Sequence, residues 1–412
     1  MKQASRFSIC LCFLFYAHLA LAFDEIEVVT LNQYLGADLA PVLAAEPEAF
    51  NDALVGVLQK VSASDFKARA LEQARMIAKR SPEIIGLQEV WDLTCIDLDP
   101  RPEFGCDDPS IANAFDDHLD LTLAALNNTP EVRRKKGINY EVAATVKNLD
   151  LDKVAVPGLP FSGIPFCIKC LNAMPNAILV AVDRDVILAR RDVQVAKVDW
   201  SDDESFGLCT KPSVDGCNYQ VVASVDSLGI AIERGFVAVD ATIGNKVYRI
   251  VNTHFEVKGE DVGMPEFTFY QAAQADELLE TIEKTTSTDY LIVLGDMNSS
   301  PEQTDIPGVF PPPFVTGITT PYHQFVDSGY HDVWELKPGK ASGYTCCQQE
   351  DLVSKKSLLT ERIDMIFTRE MPKKVKQASV LGDKVTTKTN PPGLGLGLWS
   401  TDHGGIAAKI QF

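Results

Sequence analysis

Two short runs near the C-terminal end gather many of the residues able to do chemistry. LGDMNSS (294–300) closes a hydrophobic run on Asp296 and Asn298, and STDHGGI (400–406) sets Asp402 and His403 at the mouth of the final apolar stretch. The ends of other apolar runs deliver Asn32, Glu89, His254 and Asp364. Polar groups clustered at strand ends are where α/β sheets build their sites. Asp296 and Asn298 are two residues apart, so on an extended segment both side chains face the same way. Carboxylates, amides and imidazoles in such positions suit a hard cation and proton transfer. GDMN alone reads equally well as an Asx turn after a strand. Recurrence of the pattern at several strand ends favours a site.

The elements that must position these residues are legible as apolar periodicity. Strands are expected over 25–34, 83–90, 138–146, 176–182, 290–296, 362–369 and the terminal GIAAKIQF. GFVAVDATI and KVYRIVNTHF flank Gly244-Asn245, a hairpin turn dipeptide. Helices are expected over 65–80, stopped by Ser81-Pro82, and over 267–284, with Phe267, Tyr270, Leu278 and Ile282 toward one side. His118, in DDHLD, is expected on a solvated helix, and His323 and His331 carry no motif. Adjacent strands, a hairpin and interspersed helices suit a mixed-sheet α/β protein better than a purely parallel one. Segments 150–175 and 301–345 read as insertions that either shape substrate access or serve as inert cover.

The N-terminus has the pattern of a secretory signal: Lys2 and Arg6, an apolar run from Phe7 to Ala22, and Ala20-Leu21-Ala22 for cleavage. Residues 1–22 are therefore expected to be removed, leaving 23–412 as one catalytic domain, secreted or periplasmic, with no transmembrane segment. Eight of the ten cysteines would remain, an even number in an oxidising compartment. Cys95–Cys106 and Cys209–Cys217 each bracket a short polar loop and are expected to pair. Cys167, Cys170, Cys346 and Cys347 are open to several pairings, with a zinc site as the weaker alternative. The formal net charge is −19; loss of Lys2 and Arg6 leaves 36 basic against 57 acidic residues, or −21. That field opposes high-affinity binding of a polyanion, because phosphate contacts normally come from Lys and Arg. It leaves a nuclease possible, since bound divalent cations reverse the local sign.

Taken in order, TLNQY, LQEVWD, ERGFVAVD, VNTHFE, LGDMNSS, ERIDMIF and STDHGG resemble the motif series of the endonuclease/exonuclease/phosphatase superfamily. The series spans residues 30 to 406. The superfamily includes pancreatic-type deoxyribonucleases, abasic-site endonucleases, inositol polyphosphate 5-phosphatases and bacterial sphingomyelinases. The resemblance implies a four-layer α/β/β/α sandwich of two mixed sheets, with the site at one edge. It also implies metal-side roles for Asn32, Glu89 and Asp402 around Mg²⁺ or Mn²⁺, a hard ion that requires carboxylate oxygen.

The same resemblance implies that His403 contacts the scissile phosphate or serves as general base, held by Asp364. Asp296 would orient the attacking water, and Asn298 would donate to a phosphate oxygen. His254 matches a phosphate-contacting or acid-side histidine, and Arg234 is a candidate substrate contact. GYTCC, containing Cys346-Cys347, resembles a run found in exported bacterial members.

The expected function is metal-dependent phosphoester hydrolysis by in-line attack of water. The substrate is expected to be a phosphodiester, either nucleic acid or a phospholipid head group, because few basic residues flank the motifs. A phosphomonoesterase is the alternative among enzymes, and a catalytically silent exported binding protein is the alternative outside them. Gly393 to Trp399 either offers Leu398 and Trp399 to lipid or packs under the sandwich, the second reading being favoured. Oligomeric state is not legible.

Overall fold

The computed structural model describes residues 25–412 except 100, 102–103, 135–138, 157, 159, 170–173, 201–207, 226–229, 309, 311, 313, 315 and 390–396. The expected signal, residues 1–22, and Cys170 lie outside the described residues. The chain begins with β1 (Glu25–Asn32), α1 (Pro47–Ala63), α2 (Phe66–Arg80), β2 (Ile84–Gln88) and β3 (Asp92–Asp97). α3 (His118–Asn127), β4 (Tyr140–Asp150) and β5 (Ala177–Arg190) follow. The second half contributes β6 (Gly235–Ile243), β7 (Lys246–His254), α4 (Glu266–Thr285) and β8 (Tyr290–Asp296). It ends with β9 (Asp364–Thr368), β10 (Lys374–Leu381) and β11 (Gly405–Gln411).

Two mixed sheets result. The first runs β10–β11–β1–β2–β5–β3, with β4 also on β5, and the second runs β9–β8–β7–β6 with short flanking strands. The pairs β1–β2 and β7–β8 are parallel. Period-two alternation sends neighbouring residues to opposite layers. Val28, Ile84 and Ile187 meet Val239, Ile250, Ile292 and Leu294 between the sheets. Their neighbours Val29 and Ile85 pack outward under Ala74 and Ile77 of α2, and Leu291 and Val293 pack outward under Leu278 and Ile282 of α4. This is the expected α/β/β/α sandwich. Each fully buried aliphatic side chain contributes about 1.5–3 kcal/mol of transfer free energy.

Local chemistry sets the ends of these elements. The Asp65 carboxylate caps α2 by accepting from Ala68 N at 3.1 Å, and left-handed Ser81 ends it before Pro82. The β6–β7 hairpin turns at Gly244-Asn245, as the dipeptide predicts.

Three expectations change. His118 is buried rather than solvated, its ring stacked on Phe66 with centroids 3.3 Å apart. Burial, reinforced by Arg69 and Arg184, holds its pKa well below the ordinary histidine value. α1 adds a helix that the strand-and-helix reading did not include, although Leu54, Val57, Leu58 and Val61 carry helical spacing. The segment 301–345 is only partly irregular: Pro321–Asp327 is helical and buries Phe325 against Phe255 and Phe367.

Cys95–Cys106 and Cys209–Cys217 pair as expected. Cys346 pairs with Cys347, so neither reaches Cys167. Cys167 is itself disulfide-bonded. These sulfurs therefore do not form a thiolate cage for zinc.

Candidate active site

Strand register alone aligns three of the polar residues. His254 on β7 pairs with Asp296 on β8, which pairs with Asp364 on β9. Directly opposed residues share a face, so the three side chains form a row at one end of the second sheet. β1 of the facing sheet ends on Asn32, and Glu89 directly follows β2. His403 lies just before β11, which pairs with β1. The site is thus the edge where both sheets end together.

Backbone conformation aims two of these groups. Glu89 and Asn298 adopt left-handed φ of 53° and 47°, at a cost of about 1–3 kcal/mol each, a form of strain that clusters at functional sites. Gly295, at φ 153°, precedes Asp296 where an added Cβ would meet Thr253 O at 1.9 Å, so a side chain there would push the strand apart.

The Asp364 carboxylate accepts from His403 Nδ1 at 2.9 Å, which leaves Nε2 as the outward nitrogen. Asp296 Oδ2 is 3.7 Å from the same Nδ1 and 3.5 Å from His254 Nε2. Asn32 Nδ2 donates to Asp296 Oδ2 at 3.0 Å and to Glu89 Oε1 at 2.9 Å. Asn298 N donates to Asp296 Oδ1 at 2.9 Å, while its amide donates to Phe255 O at 3.0 Å and sits 3.2 Å from His254 Nε2. Asp402 Oδ1 is 4.0 Å from His403 Nε2.

The electrostatics follow from burial and like charge. Burial opposes a charged His403, but Asp364, Asp402 and Asp296 outweigh it and raise its pKa well above the ordinary value. Burial raises Asp296 to about 7, with His403 opposing and Asp364 adding to the rise. Asp402 is raised to about 6 by burial, against His403 and with help from Glu89.

Glu89 and Asp402 fit a hard divalent cation. Glu89 accepts from Leu35 N at 3.0 Å and from Asn32, and among the described residues the Asp402 side chain accepts only a 3.4 Å contact from Thr401 Oγ1. Among the described residues no lysine or arginine is bonded to either carboxylate, and Glu89 is near enough to raise the Asp402 pKa, so their lone pairs suit a shared cation. Asn32 turns its NH₂ toward the carboxylates and its oxygen toward Tyr34 N, 2.9 Å away, so in this arrangement it orients the cluster.

Arg234 lies behind the site. Its Nη1 is 3.0 Å from His254 Nδ1, its Nη2 is 3.3 Å from Glu256 Oε1, and Asp183 Oδ2 is 3.9 Å from Nη1. Asp183 and Glu256 escape a reading by motif. Asp183 has a visible signal, an acid inside the apolar run of β5. Arg69 also escapes: fully buried, it donates to the carbonyls of Gln33 at 2.8 Å, Tyr34 at 3.0 Å, Ser64 at 3.1 Å and Ser400 at 3.3 Å. It thereby ties together the chain after β1 and the chain before His403. Its signal is a cation on the buried stripe Phe66, Arg69, Gln73, Ile77 of α2.

Trp399 is completely buried against Tyr34 and Leu352, and its indole N–H donates to Ser354. It is enclosed rather than open to a lipid surface, and residues 393–396 lie outside the described residues. Cys346 and Cys347 place their sulfurs within 4.8 Å of a His403 ring nitrogen. A groove of about 510 Å³ adjoins Ser300, lined by Lys258, Thr268, Gln303, Tyr344 and Glu361 among others. Lys258, its only cationic lining residue, is bonded to Glu361 at 2.6 Å. No described helix is long and apolar enough to cross a membrane.

By sequence, no family model and no curated protein matches the chain. Among solved structures, an endonuclease/exonuclease/phosphatase family protein from Bacteroides thetaiotaomicron covers 94% of this chain and 98% of its own, at 16% identity and a TM-score of 0.50. A mannosyl-6-phosphatase from the same organism is 15% identical, with 94% and 100% covered and a TM-score of 0.48. A humanized D. rerio TDP2 is 12% identical, with 94% and 100% covered and a TM-score of 0.43. The first of these carries the conclusion: the fold is that of the endonuclease/exonuclease/phosphatase superfamily.

Proposed function

We propose that the chain is a divalent-metal-dependent phosphoester hydrolase, exported after loss of residues 1–22, that acts on phosphodiesters. The observation that carries the reading is the His403–Asp364 pair at 2.9 Å beside Asp296, Asn298, Glu89 and Asp402 on one sheet edge. Mg²⁺ or Mn²⁺ held by Glu89 and Asp402 would supply neutralisation of phosphate oxygen charge.

His403, kept protonated by three carboxylates, offers Nε2–H to a phosphate oxygen. Asp296, raised to about 7, is suited to take the proton of a water attacking in line. The backbone N–H of Asn298 fixes the Asp296 carboxylate, and the Asn298 amide supplies a dipole for charge that develops on phosphate, a contribution of about 3–4 kcal/mol per donor in favourable cases. His254, neutral, adds a donor without net charge.

The preference for diesters follows from the cations. Arg234 is offset by Glu256 and Asp183, and Lys258 by Glu361. A dianionic monoester would need further local positive charge, whereas a monoanionic diester needs less.

The test is hydrolysis of bis-(p-nitrophenyl) phosphate against p-nitrophenyl phosphate by the mature protein, with Mg²⁺, Mn²⁺ and EDTA. EDTA-sensitive diester cleavage is expected. Monoester cleavage alone would favour the phosphatase reading. No cleavage of either would favour a silent binding protein on this fold.

A further inference from the structure

An apolar cavity of about 120 Å³ lies between α1 and the β3–β5 pair. Leu54 and Leu58 form one wall and Leu93 and Leu179 another, with Trp91 beside them. Apart from Asp183, Glu233 and Arg234, every lining residue is apolar. The cavity shares walls with the catalytic edge. Leu35 lines it and donates its backbone N–H to Glu89 at 3.0 Å, and Arg234 lines it and reaches His254 at 3.0 Å. Two donors on its lining, Trp91 Nε1 and Arg234 Nε, are buried and have no partner among the described residues.

We propose that this cavity receives the hydrocarbon arm of an amphiphilic phosphodiester while the phosphate lies at His403 and Asn298. The proposal rests on the hydrolase reading and names its substrate class. A void of this size resembles the roughly 150 Å³ apolar cavity that binds benzene, so it holds a short alkyl or aryl segment next to the phosphate. A nucleobase or sugar would strip its polar edge of partners among leucines, which is unfavourable. An alkyl arm loses nothing there, and an ester, amide or hydroxyl oxygen near its head would satisfy the Trp91 and Arg234 donors. The acidity of the chain favours the same choice over nucleic acid.

The test uses two ligand series on the full mature protein. The first is p-nitrophenyl alkyl phosphates from methyl to octyl, which share one leaving group. The second is alkyl methylphosphonates of the same lengths, titrated calorimetrically in EDTA. KM and Kd should each fall about fourfold per methylene until the cavity is full, then level off. Leu58→Phe, and separately Leu54→Phe, should erase that chain-length gain while leaving turnover of the methyl ester unchanged. Flat constants across both series, or a gain untouched in both folded variants, would overturn the cavity assignment. Methyl ester turnover that fails while phosphonate binding still tightens with chain length would overturn the hydrolase reading and keep the cavity.

Discussion

Arg234 Nη1 sits 3.0 Å from His254 Nδ1, a contact in which the imidazole can only accept. The single ring proton is thereby assigned to Nε2, which lies 3.2 Å from the Asn298 amide nitrogen and 3.5 Å from Asp296 Oδ2. Burial, then Arg234, then His403 hold the His254 pKa well below the ordinary value. A histidine backed by a carboxylate would shuttle a proton, whereas one backed by a guanidinium stays neutral and passes a share of that positive charge to its outer N–H.

Arg234→Gln should therefore let His254 protonate at higher pH, followed by ¹⁵N shifts of the ring. Diester turnover should fall roughly 10–100-fold, as for other outer partners of site residues. An unchanged ring titration in the folded variant would show that the arginine does not set the tautomer.

His403→Ala should lower kcat by about 10²–10⁴-fold, with no recovery in excess metal. Glu89→Gln should also be inactive at low metal but partly recover in excess Mg²⁺ or Mn²⁺, because the amide keeps one oxygen. Metal titrations of kcat for both variants separate the two roles.

These roles follow from groups that were legible because strand ends carry their own signature. Asn32 and Asp296 sit where apolar runs stop, and Asp364 and His403 sit where apolar runs begin. Charge balance was not legible. Arg234 reads as a free substrate contact until Asp183 and Glu256 are seen beside it, brought from β5 and from the residue two past β7. Trp399 follows a glycine-rich run that reads as either lipid-facing or packed, and only its enclosure by Tyr34 and Leu352 decides. Arg69 was visible on the apolar stripe of α2, yet a cation there has no meaning until carbonyls from the turn before α2, the chain after β1 and the chain before His403 surround it.

Arg69 carries a stability prediction of its own. Arg69→Met strips the guanidinium donors from the carbonyls of Tyr34 and Ser64, whereas those of Gln33 and Ser400 keep Gln73 Nε2 at 3.3 and 2.7 Å. The expected loss is about 3–5 kcal/mol, by comparison with other buried polar networks broken on one side. Arg69→Lys keeps the charge without the planar fork and should recover less than half. Urea midpoints at constant m-value provide the measurement.

The last prediction concerns pH. Glu277 on α4 accepts from Gln220 N at 2.9 Å, while its Oε1 is buried without a partner among the described residues. Burial raises its pKa from 4.5 to about 7, against the Gln220 N–H and the nearby Lys211. The folded protein thus binds this proton more tightly than the unfolded chain does, so stability falls as pH rises between the two values. The penalty is absent below about pH 4.5 and complete above about pH 7. Glu277→Gln keeps an acceptor for Gln220 and has no charge to desolvate. It should match wild type near pH 4 and exceed it by about 1–2 kcal/mol at pH 8, after allowing for solvent screening of a partly exposed side chain. Thermal or urea unfolding across that range checks the sign, and a gain that is constant with pH would assign the effect to packing rather than to the proton.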